Sequence, residues 1–130
     1  MRKLFSGIFL VTAISVGLGA FGHGHQWSAH VMPALPGLEP HLLQLLKLVW
    51  YWVSGAMFTF GVLLVWVWSR LRRGDTQLRF VPWVIGVFYL IEGIYGAACL
   101  GPFFLLFAVQ AVLLFGTTWV LQTPELKPSA

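Results

Sequence analysis

Two sets of residues in this chain have the types and spacing to do chemistry. One is a lone carboxylate, Glu92, the only charge in the apolar run from Phe80 to Leu100; the other is four histidines, His23, His25, His30 and His41, within nineteen consecutive residues. A carboxylate in the middle of a membrane-length apolar segment is costly unless it is paired, hydrated or protonated, and such residues often mark ion or substrate paths. No Lys, Arg or His falls at a matching position in any other apolar run, so the partners on offer are uncharged: Gln110, Tyr89, Ser54, Thr59, Thr12 and Ser15. Glu92 and Gln110 each lie nine residues from Gly101, and a hairpin turning there sets them level. The expectation is an intramembrane polar core of Glu92, Gln110, Tyr89, Ser54 and Thr12, with a Glu92–Gln110 hydrogen bond and Tyr89 one turn away. As a bond between helices it would contribute about 0.6 kcal/mol, up to about 1–2. As a titrating group it would bind a proton or a substrate.

Imidazole is the commonest protein metal ligand. In an extended segment residues i and i+2 point the same way, so His23 and His25 can chelate together. His30, His41 and Glu39 then complete a nitrogen-rich set suited to copper or zinc, with Met32 as a soft ligand. The alternative places His23 and His25 at the end of the first apolar run, His30 in the following loop and His41 at the start of the second run. Other chemistries find no support. Cys99 is the only cysteine, which excludes a disulfide scaffold and paired-thiol chemistry, and it reads as buried and inert near the end of the third run. No histidine shares a position with a candidate nucleophile, none sits inside a run as a heme in a helix bundle needs, and no phosphate-binding glycine motif is present.

The elements that must position these residues follow from composition. Of 130 residues 58% are hydrophobic and 9% charged, and the mean hydropathy is +0.83. A soluble domain carries about a quarter charged residues. The chain therefore reads as an all-α integral membrane protein, a single membrane domain over 1–130. Its four apolar runs, 4–22, 42–68, 80–100 and 102–122, are each long enough to cross about 30 Å of hydrocarbon at about 1.5 Å per residue. Pro82 and Pro102 open the third and fourth runs, where a missing N–H does no harm, while Pro124 and Pro128 stop the fourth. Arg2-Lys3 followed by an apolar stretch and Ala20-Phe21-Gly22 also fits a cleaved secretory signal, although the stretch is long for one.

Seven basic residues, Arg2, Lys3, Arg70, Arg72, Arg73, Arg79 and Lys127, belong to one side of such a four-helix bundle and Lys47 alone to the other. By the positive-inside rule both termini and the 69–79 loop are cytoplasmic, and the 23–41 loop is external. The net charge of +4 is thus a topology signal, and no basic patch interleaved with exposed aromatics points to nucleic acid. Small residues at spacing four, Ala13 and Gly17 in the first span, Gly93 and Ala97 in the third, invite close helix packing. In the second span Trp50, Ser54, Met57, Gly61, Val65 and Trp68 form one stripe. Trp50, Trp52, Trp66 and Trp68 suit headgroup anchoring, and equally a surface that docks on another membrane protein.

In size and span number the chain resembles the small multidrug resistance transporters, four-span proteins with one essential carboxylate. Their carboxylate is in the first helix, whereas here that span has no acid and Glu92 stands in the third. The expected function is a non-enzymatic, self-associating or accessory subunit of a larger complex in a bacterial-type inner membrane. A small proton-coupled transporter using Glu92 is the runner-up, and an external copper- or zinc-binding protein comes third. Cysteines introduced at Ser28 and Thr76 are expected to react with impermeant thiol reagents from opposite faces of the membrane, Ser28→Cys from outside. Labelling of both from one face would contradict the four-span topology.

Overall fold

A computed structural model of the chain describes residues 1–123; Pro124, Lys127 and Pro128, used above to stop the last span and to assign its side, lie outside them. Four helices account for most of the described residues. They are α1 (Arg2–Gln26), α2 (Pro40–Arg72), α3 (Phe80–Cys99) and α4 (Leu105–Gln122). All four are long and apolar enough to cross a membrane. The third and fourth fall where hydropathy puts them. The 23–41 segment, expected as a loop, is instead mostly helical: α1 passes its glycines and histidines to Gln26 and continues through a π turn at Trp27–Val31 and a 3-10 turn at Met32–Ala34. Burial explains the difference, because Trp27 is only 2% exposed and packs against Trp50 of α2, with ring centroids 6.1 Å apart. Glycine weakens a helix by only about 1 kcal/mol, less than the burial of an indole returns.

Chain direction alternates, giving two antiparallel hairpins, α1–α2 and α3–α4, joined chiefly along α1 and α4. The α2–α3 side is more loosely packed. Phe9 and Val16 of α1, Leu64 and Val67 of α2, Ile85 of α3 and Leu114 of α4 fill the core. At the end of the bundle that carries the N-terminus, Trp68 Nε1 donates to the Ser6 carbonyl and hydroxyl, both at 2.9 Å, and Arg2 Nη2 donates to the Leu121 carbonyl at 3.0 Å. The hairpins differ in length. At about 1.5 Å per residue the 33-residue α2 is roughly 50 Å long and the 20-residue α3 roughly 30 Å. Since Ser15 of α1 bonds Gln110 of α4, the excess lies at the other end, where α1 and α2 run on past the α3–α4 turn.

Two local devices set this geometry. At the α2–α3 connection Gly74 adopts φ +83°, and the Gly74 and Asp75 amides return to the Leu71 and Arg70 carbonyls, the pair of bonds that closes a helix with a left-handed residue. Asp75 then accepts from Arg70 at 2.6 Å and from the Gln77 amide at 3.0 Å, and that amide and the guanidinium hold its carboxyl below the usual carboxylate range. At the α1–α2 crossing, Gly17 and Gly61 bring the backbones into contact. A Cβ added at Gly61 would overlap the Gly17 backbone, whereas one at Gly55 would meet nothing within 4 Å.

Gly61→Ala must therefore push two helices apart, and overpacking of this kind costs about 1–3 kcal/mol. The purified variant is expected to melt several degrees below the parent in detergent, while Gly55→Ala melts no lower than the parent. Equal melting of Gly61→Ala and the parent would contradict the crossing.

Candidate functional site

The expected polar core divides into separate groups. Gln110 is buried on α4, and its Nε2 donates to Ser15 Oγ of α1 at 3.0 Å; Ser15 passes its own proton to the Thr12 carbonyl at 2.8 Å, and Thr12 to that of Ile8 at 2.9 Å. This short chain of bonds joins α1 to α4 near mid-height. It is incompletely satisfied, since Gln110 Oε1 and the buried Tyr89 hydroxyl both lack a partner. Tyr89 instead places its ring edge-on to Phe107, 5.5 Å between centroids.

Glu92 is not part of this core. It is exposed on the outer surface of α3, and among the described residues no hydrogen bond or ion pair reaches it. The expected Glu92–Gln110 bond is replaced by Gln110–Ser15. The reason is angular. Equal counts from Gly101 fix height along a hairpin and say nothing about direction around each helix. The buried stripe of α3 is Pro82, Ile85, Gly86, Tyr89, Gly93 and Gly96, because its glycines admit α4: a Cβ at Gly93 would overlap Ala108, and one at Gly96 would overlap Phe104. With Gly93 turned to α4, its predecessor is rotated about 100° away, at 3.6 residues per turn. That turns Glu92 toward the α2 side, the side on which Phe88, four residues earlier, meets Phe60 of α2 at 6.3 Å.

Ser54 belongs to a different cluster, which carries one of the four histidines. The His23 ring lies flat on Trp50, 4.2 Å between centroids and 12° between planes, and its Nδ1 is 2.9 Å from Ser54 Oγ. Trp50 Nε1 donates to the His23 carbonyl at 2.7 Å, and the Ser54 hydroxyl donates back to the Trp50 carbonyl at 3.2 Å. With the serine proton engaged by the Trp50 carbonyl, Ser54 Oγ is placed to accept from an Nδ1–H of His23. Sequence reasoning missed this cluster. Its trace was there, in His23/Trp27 on one helix and Trp50/Ser54 on the next, each pair at the i, i+4 spacing that shares a face.

His25 and His30 are exposed on the α1 extension, Met32 is exposed in the 3-10 turn, Glu39 just before α2, and His41 in the first turn of α2. Among the described residues no three His, Cys, Asp or Glu side chains come together as a metal site would need. The helical course of residues 23–31 is the cause: on a helix, i and i+2 point to nearly opposite sides, so His23 turns inward while His25 faces out. Cys99, expected to be buried, is exposed at the end of α3.

The tryptophan stripe of α2 also has a definite use. Trp50 and Trp68 are spent on α1, through the His23 and Ser6 carbonyls, which leaves Trp52 and Trp66 on the outer surface, 73% and 49% exposed. Two shallow open grooves lie on the outside of the bundle, one between α1 and α4 beside Lys3, Leu4, Ile8, Val11 and Leu113, the other over the glycine crossing beside Leu18, Phe58 and Val62. No protein family, characterised protein or solved structure is detectably similar to this chain.

The Ser15–Gln110 link predicts an asymmetry. Ser15→Ala leaves both ends of the Gln110 amide without partners, whereas Gln110→Leu removes an amide that is already half unsatisfied. Orphaning a buried polar group costs about 1–3 kcal/mol, while replacing it by an apolar group of like shape can be neutral. Ser15→Ala is therefore expected to lower the melting temperature in detergent more than Gln110→Leu does, and the reverse order would contradict the link.

Proposed function

We propose that this chain is a non-enzymatic accessory subunit of a larger membrane complex, inserted as a four-helix bundle with both termini on the cytoplasmic side of a bacterial-type inner membrane. Among the described residues the loops are short and little mass lies outside the helices. The seven-to-one partition of basic residues supports the orientation.

The observation that carries the reading is the unequal length of the hairpins. A helix of roughly 50 Å fits 30 Å of hydrocarbon only at a tilt above about 50°, beyond the usual 0–40°, and α2 is bound to a bundle whose other half already matches that thickness. The outer ends of α1 and α2 thus project past the hydrocarbon as an arm. Its α2 part is rich in leucine: Leu42, Leu45, Leu46 and Leu48 are 43–67% exposed. Apolar surface of this kind, continuous along a helix and outside the hydrocarbon, marks a protein contact. The proton-coupled transporter reading is the weaker one, because it needs Glu92 on an internal path and the residue stands on the outside of the bundle. The copper or zinc reading needs histidines that converge.

A photoreactive residue in place of Leu45 should crosslink, in native membranes, to another protein chain, and Leu45→Glu combined with Leu48→Glu should release the subunit with its melting temperature unchanged. Crosslinking to lipid alone would contradict the reading.

A further inference from the structure

We infer that Glu92 is the docking point for a transmembrane helix of another protein that carries a lysine or arginine at the same depth. The inference deepens the accessory-subunit reading and rests on it. Glu92 lies twelve residues from Phe80 and seven from Cys99, or about 18 and 10 Å along α3. It is thus well inside the hydrocarbon, too far from either end for its short stem to reach water. A carboxyl at that depth normally faces a bundle interior or a partner. Here the chain offers neither: the residue is exposed, and no described hydrogen bond or ion pair reaches it.

The surroundings make a seat for a helix. Phe88, Glu92, Tyr95 and Cys99 recur at i, i+4, i+7 and i+11, one face of α3, and all four are exposed. The face borders the loosely packed α2–α3 side and meets α2 through Phe88 and Phe60, four residues before Glu92. Charge decides the occupant. A second copy seated symmetrically would bring Glu92 to Glu92, with no cation to offer, because every lysine and arginine in the chain lies outside the middle of the spans. The one histidine nearest in height, His23, is held between α1 and α2 by Ser54 and Trp50. A partner helix with a basic residue supplies what both this chain and a second copy lack, and a buried charge pair of this kind fixes register as well as affinity.

The test uses the full chain in its native membrane, with a photoreactive phenylalanine derivative in place of Tyr95 and mass-spectrometric identification of the captured segment. The expected adduct is an apolar helix with a Lys or Arg near its centre. Glu92→Gln should lower the adduct yield at least tenfold at equal chain abundance, and Glu92→Lys combined with exchange of the captured basic residue to Glu should restore it. Capture of a helix without a basic residue, of a second copy, or of lipid alone would overturn the inference, as would full yield with Glu92→Gln. The isolated Glu92→Gln chain should melt as the parent does; a lower melting temperature would mean that Glu92 supports its own bundle, and would equally overturn it. If the Leu45 adduct forms while the Tyr95 adduct does not, the accessory reading stands and only the role of Glu92 falls. If neither forms, both fall.

Discussion

Gly17 and Gly61 let α1 and α2 touch backbone to backbone, and the rest of the arrangement is built around that contact. Between helices in lipid there is no hydrophobic driving force, so close packing and a few hydrogen bonds must hold the bundle. With the crossing fixed, Trp68 reaches the Ser6 carbonyl below it and Trp50 reaches the His23 carbonyl above. The two indoles thus clamp the hairpin on either side of the glycines. The α3–α4 hairpin uses the same device, with Gly86, Gly93 and Gly96 turned to α4, and this is what rotates Glu92 to the outside.

That rotation separates two kinds of polar residue. Ser15, Thr12 and Gln110 face inward and serve packing, while Gln110 Oε1, the Tyr89 phenol, Thr118 Oγ1 and Gln122 Nε2 are buried without partners. Such gaps are tolerable in a scaffold whose helices already satisfy their backbones. Glu92 faces outward, where among the described residues no hydrogen bond or ion pair reaches it. Together with the exposed leucines at the start of α2, this puts the one mid-helix carboxylate and a run of apolar side chains on the outer surface rather than in an enclosed site. A subunit whose role is to be joined to something would be organised in this way.

The four helices were legible in the sequence because a run of about twenty apolar residues has few alternatives in a chain with 9% charge. The α3–α4 boundaries were legible too, since Pro82 and Pro102 mark helix starts. Less legible was the 23–41 segment. Glycine and histidine read as a stop signal after Gly22, and only the burial of Trp27 against α2, a tertiary contact, carries α1 onward. For Glu92, spacing from the turn gave the height of the residue but not its azimuth, which depends on which glycines face α4. The His23–Trp50–Ser54 cluster depends on the register of two helices whose sequences are not neighbours, and that register is set by the Gly17–Gly61 crossing rather than by any local pattern.

If, as we propose, this chain works as part of a larger membrane assembly, the mass of the particle it forms is decisive. Native mass spectrometry of untagged protein, released from its own membrane in mild detergent, should give a species in which the 14.5 kDa chain is bound to at least one further polypeptide. A particle holding a single 14.5 kDa chain with lipid and nothing else would contradict the account.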